Sequence, residues 1–392
     1  MRKNTAKILR IVFAVLGFAG MLCFFAIAVR LYSPSATETG EFPAEWAVVF
    51  ALVAVPGWLI STILHPLFHE LGHISFGKAV KMDLLSVQIG KWRLVHAAKW
   101  QMSREKGWQT GGSCVMLSSG SEKAKKKLFL YTLGGPVGSL VYILLNFLFL
   151  LFAPAMPYFF YAFFSAGVCS GFFELLSNLI PSDGAEDTDG SVLFGLITNT
   201  DVSRVRLAVF QAQCEIYGGT SPKDLGEELF SQPVVMESEP AFAALLSVQA
   251  LAFLDKGDFP SYHKAVSRLA TLTPFLDREG RFAAETEALY SAALRKDEKA
   301  FSAYAETFSA LKEVKTAAAY RVRTACEMYF KKNLSVAHVC AVRGLQAAAD
   351  ALPGERNMEV RLLNALTSDL NRMTAEEIEM AAVSHEDDET NE

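Results

Sequence analysis

Charged residues are missing from three stretches in the first half of the chain: Ile11 to Val29, Trp46 to Leu64, and Leu128 to Phe173. A helix that crosses a bilayer needs about 20 mostly apolar residues. The third stretch is long enough for two such helices, and Pro154 and Pro157 mark a break between them. The pattern therefore predicts four spans, at roughly 8–30, 46–68, 128–152 and 158–180. Beyond residue 190 it becomes amphipathic and charged, as in a soluble domain.

Between the second and third spans, segment 78–127 is polar and punctuated by glycine. "LLSVQIG", "WRLVHAA" and "GGSCVMLSS" read as short strands of a small sheet. Trp92, Trp100 and Trp108 suit a membrane interface. In the second half, "EIYGGTSPKD", "FLDKGDFPSY", "ALRKDEKAF" and "YFKKNLSVA" each join two apolar-periodic helices. Gly219, Asp258, Asp297 and Asn333 follow one another at about 36–39 residues, near a helical-repeat period. The expected fold class is an α-helical polytopic membrane protein. It has four transmembrane helices and a small cytoplasmic β segment, followed by an all-α, repeat-like soluble domain. The organisation is 1–45 for an anchor and external loop, 46–195 for a membrane core, 196–380 for the helical domain and 381–392 for an acidic, disordered tail.

Composition agrees with this division. Of 392 residues, 51% are hydrophobic, high for a soluble protein of this length. The apolar core of the first span is longer than the roughly 7–15 residues of a signal peptide, so an uncleaved anchor is expected. Arg2, Lys3, Lys7 and Arg10 precede it, and "KAKKK" closes segment 78–127, whereas loop 32–45 carries Glu38, Glu41 and Glu45 and no basic residue. Lys and Arg concentrate on the cytoplasmic side. That places the N-terminus, segment 78–127 and the C-terminal half in the cytoplasm of a multi-pass cell-membrane protein. The six cysteines are scattered, with no CxxC pair, and structural disulfides are not expected. The net charge of −5 is mild, and no basic–aromatic patch points to nucleic acid.

The chemistry concentrates in "HPLFHELGH", residues 65 to 73, at the end of the second apolar run. His69 and His73 stand at i and i+4, so on a helix both imidazoles reach one metal ion. Glu70 lies one residue round, where it can touch a water held there. Zinc lowers the pKa of such a water to about 7, and a carboxylate can take its proton. Ionisable groups near a span are expensive and are kept for function. A third ligand is needed from another span. Asp183, Glu186, Asp187 and Asp189 follow the fourth span, and Glu174 lies deeper within it. His65 shares the face of His69 and is read as a pocket-lining contact, with Pro66 expected to disturb the helix locally.

In three motifs the chain resembles the site-2 proteases, a family of intramembrane zinc metalloproteases. They are His69 to His73, "GGPVGS" at Gly134 to Ser139, and Asn178 and Pro181 followed by an Asp-Gly pair. The resemblance covers about residues 46 to 195. It implies His69 and His73 as zinc ligands, Glu70 as general base, an Asp-Gly aspartate as third ligand, and Asn178 positioning substrate or the developing oxyanion. Two Asp-Gly pairs are present, at Asp183 and Asp189, and the family's usual spacing from Asn178 falls on Glu186 instead. Asp189 is favoured because "DGSVLFGL" continues into an apolar helix. Asp183 stays open, as does Glu174, which would match a membrane HExxH class with a glutamate ligand. The expected activity is zinc-dependent cleavage of a membrane-spanning or membrane-associated peptide near the cytoplasmic face. The helical domain would be a site for a protein partner. The contrasting expectation is a non-catalytic, zinc-stabilised scaffold.

Overall fold

The computed structural model describes residues 3–32, 44–96, 100–104, 111–152, 157–181 and 188–389. It is mostly helical, with one small antiparallel sheet. The chain divides into two compact units. The first is Met1–Ser118 with Glu122–Leu207, and the second is Ser119–Ser121 with Ala208–Glu392.

The first unit opens with α1 (Lys3–Tyr32) and α2 (Ala44–Ala79). After the sheet come α3 (Ala124–Leu150), α4 (Tyr158–Leu179) and the short α5 (Asp189–Thr198). Among the described residues three helices are long and apolar enough to cross a membrane: Ala47–Ala79, Ala124–Leu150 and Tyr158–Leu179. Within α1 the apolar run among the described residues is the shorter Ile11–Ile27. Large apolar side chains line the outside of these helices, among them Leu52, Leu59 and Ile63 of α2 and Leu144 and Phe147 of α3. Such a surface is at home in hydrocarbon and would be an aggregation hazard in water.

α2 continues through Pro56 and Pro66 without a break. The disturbance expected at Pro66 does not interrupt it, since neighbouring helices in a bundle tolerate proline within a span. Small residues set the spacing between helices. A Cβ on Gly72 would lie 2.1 Å from the Gly134 carbonyl oxygen, and one on Gly138 2.2 Å from that of Phe68. α2 and α3 therefore touch backbone to backbone along "GGPVGS", the close approach that glycine permits in membrane helices. On its other side α2 meets α4. Phe50 and Ala54 pack with Tyr161, Ala162 and Ala166, and Ile143 of α3 completes the cluster.

The sheet has the order β3-β2-β1-β4, with β1 at Asp83–Ile89, β2 at Trp92–His96, β3 at Trp100–Arg104 and β4 at Gly112–Leu117. All neighbours are antiparallel, with Val87 opposite both Leu94 and Cys114. The three expected strands are present and β3 is additional. Every side chain of β3 is exposed, so it shows no apolar alternation to read. Trp92 and Trp100 are about half exposed, and Trp108 lies outside the described residues. β4 is an edge strand.

α6 (Asp201–Tyr217) crosses the division at 207/208. The second unit continues with α7 (Pro240–Lys256), α8 (Phe259–Thr271), α9 (Arg278–Arg295), α10 (Glu298–Ala303), α11 (Ala305–Ala310), α12 (Ala317–Tyr329), α13 (Leu334–Ala347) and α14 (Pro353–Glu389). Asp258, Asp297 and Asn333 are N-caps of α8, α10 and α13, and each side chain accepts from the backbone N–H three residues on. This is the standard way to satisfy the open N–H groups of a helix start. Three of the four periodically spaced residues thus start helices, whereas Gly219 lies at φ 106° in the turn after α6. α14 reaches Glu389, into the segment read as a tail. At the centre Arg321, fully buried, bonds Glu359 Oε2 at 3.0 Å and Glu287 Oε1 at 2.8 Å, and its guanidinium lies 4.1 Å from the Tyr290 ring centre.

Candidate metal centre

Four helices of the first unit converge near the sheet end of α2. His69 and His73 stand one turn apart there. Their Nε2 atoms are 3.2 Å from each other. The third donor is Asp189, at the first position of α5: its Oδ2 is 3.2 Å from His69 Nε2 and 3.5 Å from His73 Nε2. Among the described residues these three form the group able to hold a metal ion. In a tetrahedral site with bonds of about 2.0–2.1 Å, ligand atoms lie about 3.3 Å apart. The triangle has that size, so one point sits at bonding distance from all three donors.

The outer nitrogens of both imidazoles are anchored. His69 Nδ1 lies 2.9 Å from Ser139 Oγ, and His73 Nδ1 lies 2.8 Å from the Tyr131 carbonyl oxygen. A carbonyl only accepts, so Nδ1 of His73 carries the proton and Nε2 presents its lone pair to the shared point. Partners of this kind fix ring orientation and tautomer in metal sites. Asp189 is held as tightly. Asn178 Nδ2 donates to its Oδ2 at 2.8 Å, and the Asp189 backbone N–H donates to Asn178 Oδ1 at 3.3 Å. The same Nδ2 is 3.3 Å from His69 Nε2.

Local sequence places Asp189. Thr188 caps α5 by accepting from Ser191 N, and its hydroxyl donates to the Ile180 carbonyl at 2.7 Å. Gly190 follows because a Cβ there would lie 2.0 Å from the Leu179 carbonyl oxygen. The Asp-Gly pair at 189–190 thus has a steric reason: the glycine lets the start of α5 press on the end of α4.

Glu70 is 3% exposed, and among the described residues its Oε2 has no hydrogen-bond partner. His73, His69 and Asp189 all lie within its electrostatic reach. A buried carboxylate oxygen left open is costly, and it suits a group that meets a water or substrate only in use. Strand β4 covers the other side, where a Cβ on Gly112 would be 2.6 Å from Glu70 Oε1.

His69, His73, Glu70, Asn178 and Asp189 are therefore brought together. Glu174 and His65 are not among the three donors, although the ring centres of His65 and His69 are 6.1 Å apart. Asp183, Glu186 and Asp187 lie outside the described residues. The sequence reading missed Ser139, Tyr131, Gly112 and Gly135. A Cβ on Gly135 would lie 2.4 Å from His73 Nε2 and 2.6 Å from His69 Cε1, pressed against both imidazoles. "GGPVGS" held that signal, read there only as helix packing. Tyr131 also ties the site to the sheet, for its hydroxyl donates to the Cys114 carbonyl of β4.

No protein-family model matches the chain, and neither a curated protein nor a solved structure matches it.

Proposed function

We propose that the chain is a membrane-embedded zinc endopeptidase of the site-2 protease type. The observation that carries this reading is the triangle of His69 Nε2, His73 Nε2 and Asp189 Oδ2, with edges of 3.2, 3.2 and 3.5 Å, beside a buried and partly unpartnered Glu70. Two imidazoles and one carboxylate suit zinc with its fourth position open. Zinc held there would polarise the scissile carbonyl and acidify a water. Glu70 takes the proton of the attacking water and returns it to the leaving amine. Asn178 holds Asp189, and Ser139 and the Tyr131 carbonyl hold the imidazoles. β4, at the edge of the sheet, would supply backbone partners for a substrate in strand form, which a helical span must adopt before its peptide bond is accessible.

Lys and Arg placement supports a cytoplasmic position for the sheet and the C-terminal unit, and hence cleavage near that face of the cell membrane. The paired helices of the second unit, with their regularly spaced N-caps, support a repeat-like module that binds a protein partner.

The test uses the full-length protein, loaded with zinc in lipid nanodiscs, and a set of single-span peptides. Cleavage that disappears in Glu70→Gln, with one zinc still bound, is the expected result. A Glu70→Gln protein that cleaves like the wild type, or a zinc-loaded wild type that cleaves none of the set, rejects the hydrolase reading.

A further inference from the structure

α2 and α4 run side by side with a constant offset in numbering. Ser61 and Ser170 share a hydrogen bond between hydroxyls, and His69 Nε2 and Asn178 Nδ2 lie 3.3 Å apart; both pairs are 109 residues apart in sequence. The same offset joins Gly57 to Ala166, where a Cβ on the glycine would be 3.3 Å from that of the alanine. These are rungs of a ladder in steps of four residues on each helix. Continued to the step between the serines and the metal centre, the same offset brings His65 level with Glu174.

That step differs from its neighbours. His65 is 5% exposed, yet among the described residues its Nε2 has no hydrogen-bond partner. The edge of Tyr142 closes one side of its ring, with centroids 5.7 Å apart. Glu174 is half-buried and within electrostatic reach of His69, and it lies on α4 midway between Ser170 and Asn178, both of which meet α2. An imidazole and a carboxyl group at one level of a membrane bundle, with a nitrogen left open, are costly unless a ligand meets them.

We propose that His65 and Glu174 form an amide-binding subsite one helical turn from the metal centre, on the side away from the sheet. An amide offers an N–H to the carboxylate and a carbonyl oxygen to the imidazole N–H. A cationic group would satisfy Glu174 and leave His65 open. A metal ion would find only two donors. Four helical residues rise about 6 Å, and an extended peptide covers about 3.3 Å per residue. The subsite therefore reads a group about two residues from the bond held at the metal. The amide is either a side-chain carboxamide or the backbone of an unwound segment. This inference rests on the peptidase reading.

The test measures binding with the base disabled. Full-length Glu70→Gln protein, loaded with zinc in nanodiscs, is titrated against three labelled single-span peptides: an uninterrupted Leu/Ala helix, the same with a central Asn, and the same with a central Gly-Pro break. The subsite predicts that an amide-presenting peptide binds about tenfold tighter than the uninterrupted helix, as expected for two added hydrogen bonds. It also predicts that His65→Leu and Glu174→Leu each abolish the preference without loss of zinc. Preference for Asn alone identifies a side-chain carboxamide, preference for Gly-Pro alone identifies backbone, and either or both supports the subsite. His65→Phe keeps the ring volume and gives the same reading if His65→Leu does not fold. Equal binding of all three peptides overturns the proposal, as does a preference that survives both substitutions. Absence of cleavage by the wild type would count against the peptidase reading alone, since this result needs no turnover.

Discussion

Asn178 grips Asp189 twice, donating to its carboxylate at 2.8 Å and accepting from its backbone N–H at 3.3 Å. One amide side chain thus fixes both the position and the rotation of the third donor. The resemblance implies that Asn178 positions substrate or the developing oxyanion; its amide also holds one of the three candidate donors.

Asn178→Ala is expected to weaken metal binding by about 10–100-fold, the usual effect of removing a hydrogen-bond partner of a metal ligand. Competition with a chromophoric chelator measures it. Unchanged affinity would mean that Asp189 holds its place without Asn178.

Gly135→Ala places a methyl group where the two imidazoles meet, 2.4 Å from His73 Nε2. Overpacking of this kind costs about 1–3 kcal/mol, so metal affinity should fall about 10–100-fold while the helices stay assembled. Metal analysis after size-exclusion chromatography separates loss of the ion from loss of the fold.

Gly112→Ala acts on Glu70 instead. The three atoms nearest the new methyl would all belong to Glu70, with Oε1 at 2.6 Å. Zinc content should be unchanged and peptide cleavage reduced about 100-fold or more, the scale of a misplaced general base. A variant that kept full activity would show that Glu70 is free to shift.

In the second unit Glu355 gives a pH dependence. Its carboxyl is pushed from 4.5 up to about 7, first by burial and then by the negative Glu359 and Glu287, with Arg321 opposing. The folded state therefore favours the protonated form. The contribution of Glu355 to stability is complete below its unfolded value of about 4.5 and is lost as pH rises through about 7. Thermal unfolding of the full-length protein should shift to lower temperature between pH 5 and pH 8 (about the span of that titration). Glu355→Gln should flatten the profile and raise the midpoint at the alkaline end.

The apolar helices were legible in the sequence because hydrocarbon demands uninterrupted apolar runs. The HExxH pair was legible because one helix carries both histidines. Asp189 was harder to read: spacing from Asn178 pointed to Glu186, and the contact that accounts for Asp189-Gly190, against Leu179, exists only once α4 and α5 have met. Ser139 and the Tyr131 carbonyl were beyond reach for the same reason. Their partners lie 70 and 58 residues away, and a backbone carbonyl leaves no mark in a sequence. Strand β3 was missed because a fully exposed strand has no buried face to impose alternation.

The order of the donors along the chain has a consequence for biosynthesis. His69 and His73 are made first, and Asp189 follows more than a hundred residues later, after all three long apolar helices. At about 5–20 residues per second, a ribosome needs roughly 6–23 s to cover that gap. Until then a nascent chain holds two imidazoles and a glutamate but lacks the carboxylate that closes the donor set. The donor set is thus completed only after the three long apolar helices have been synthesised.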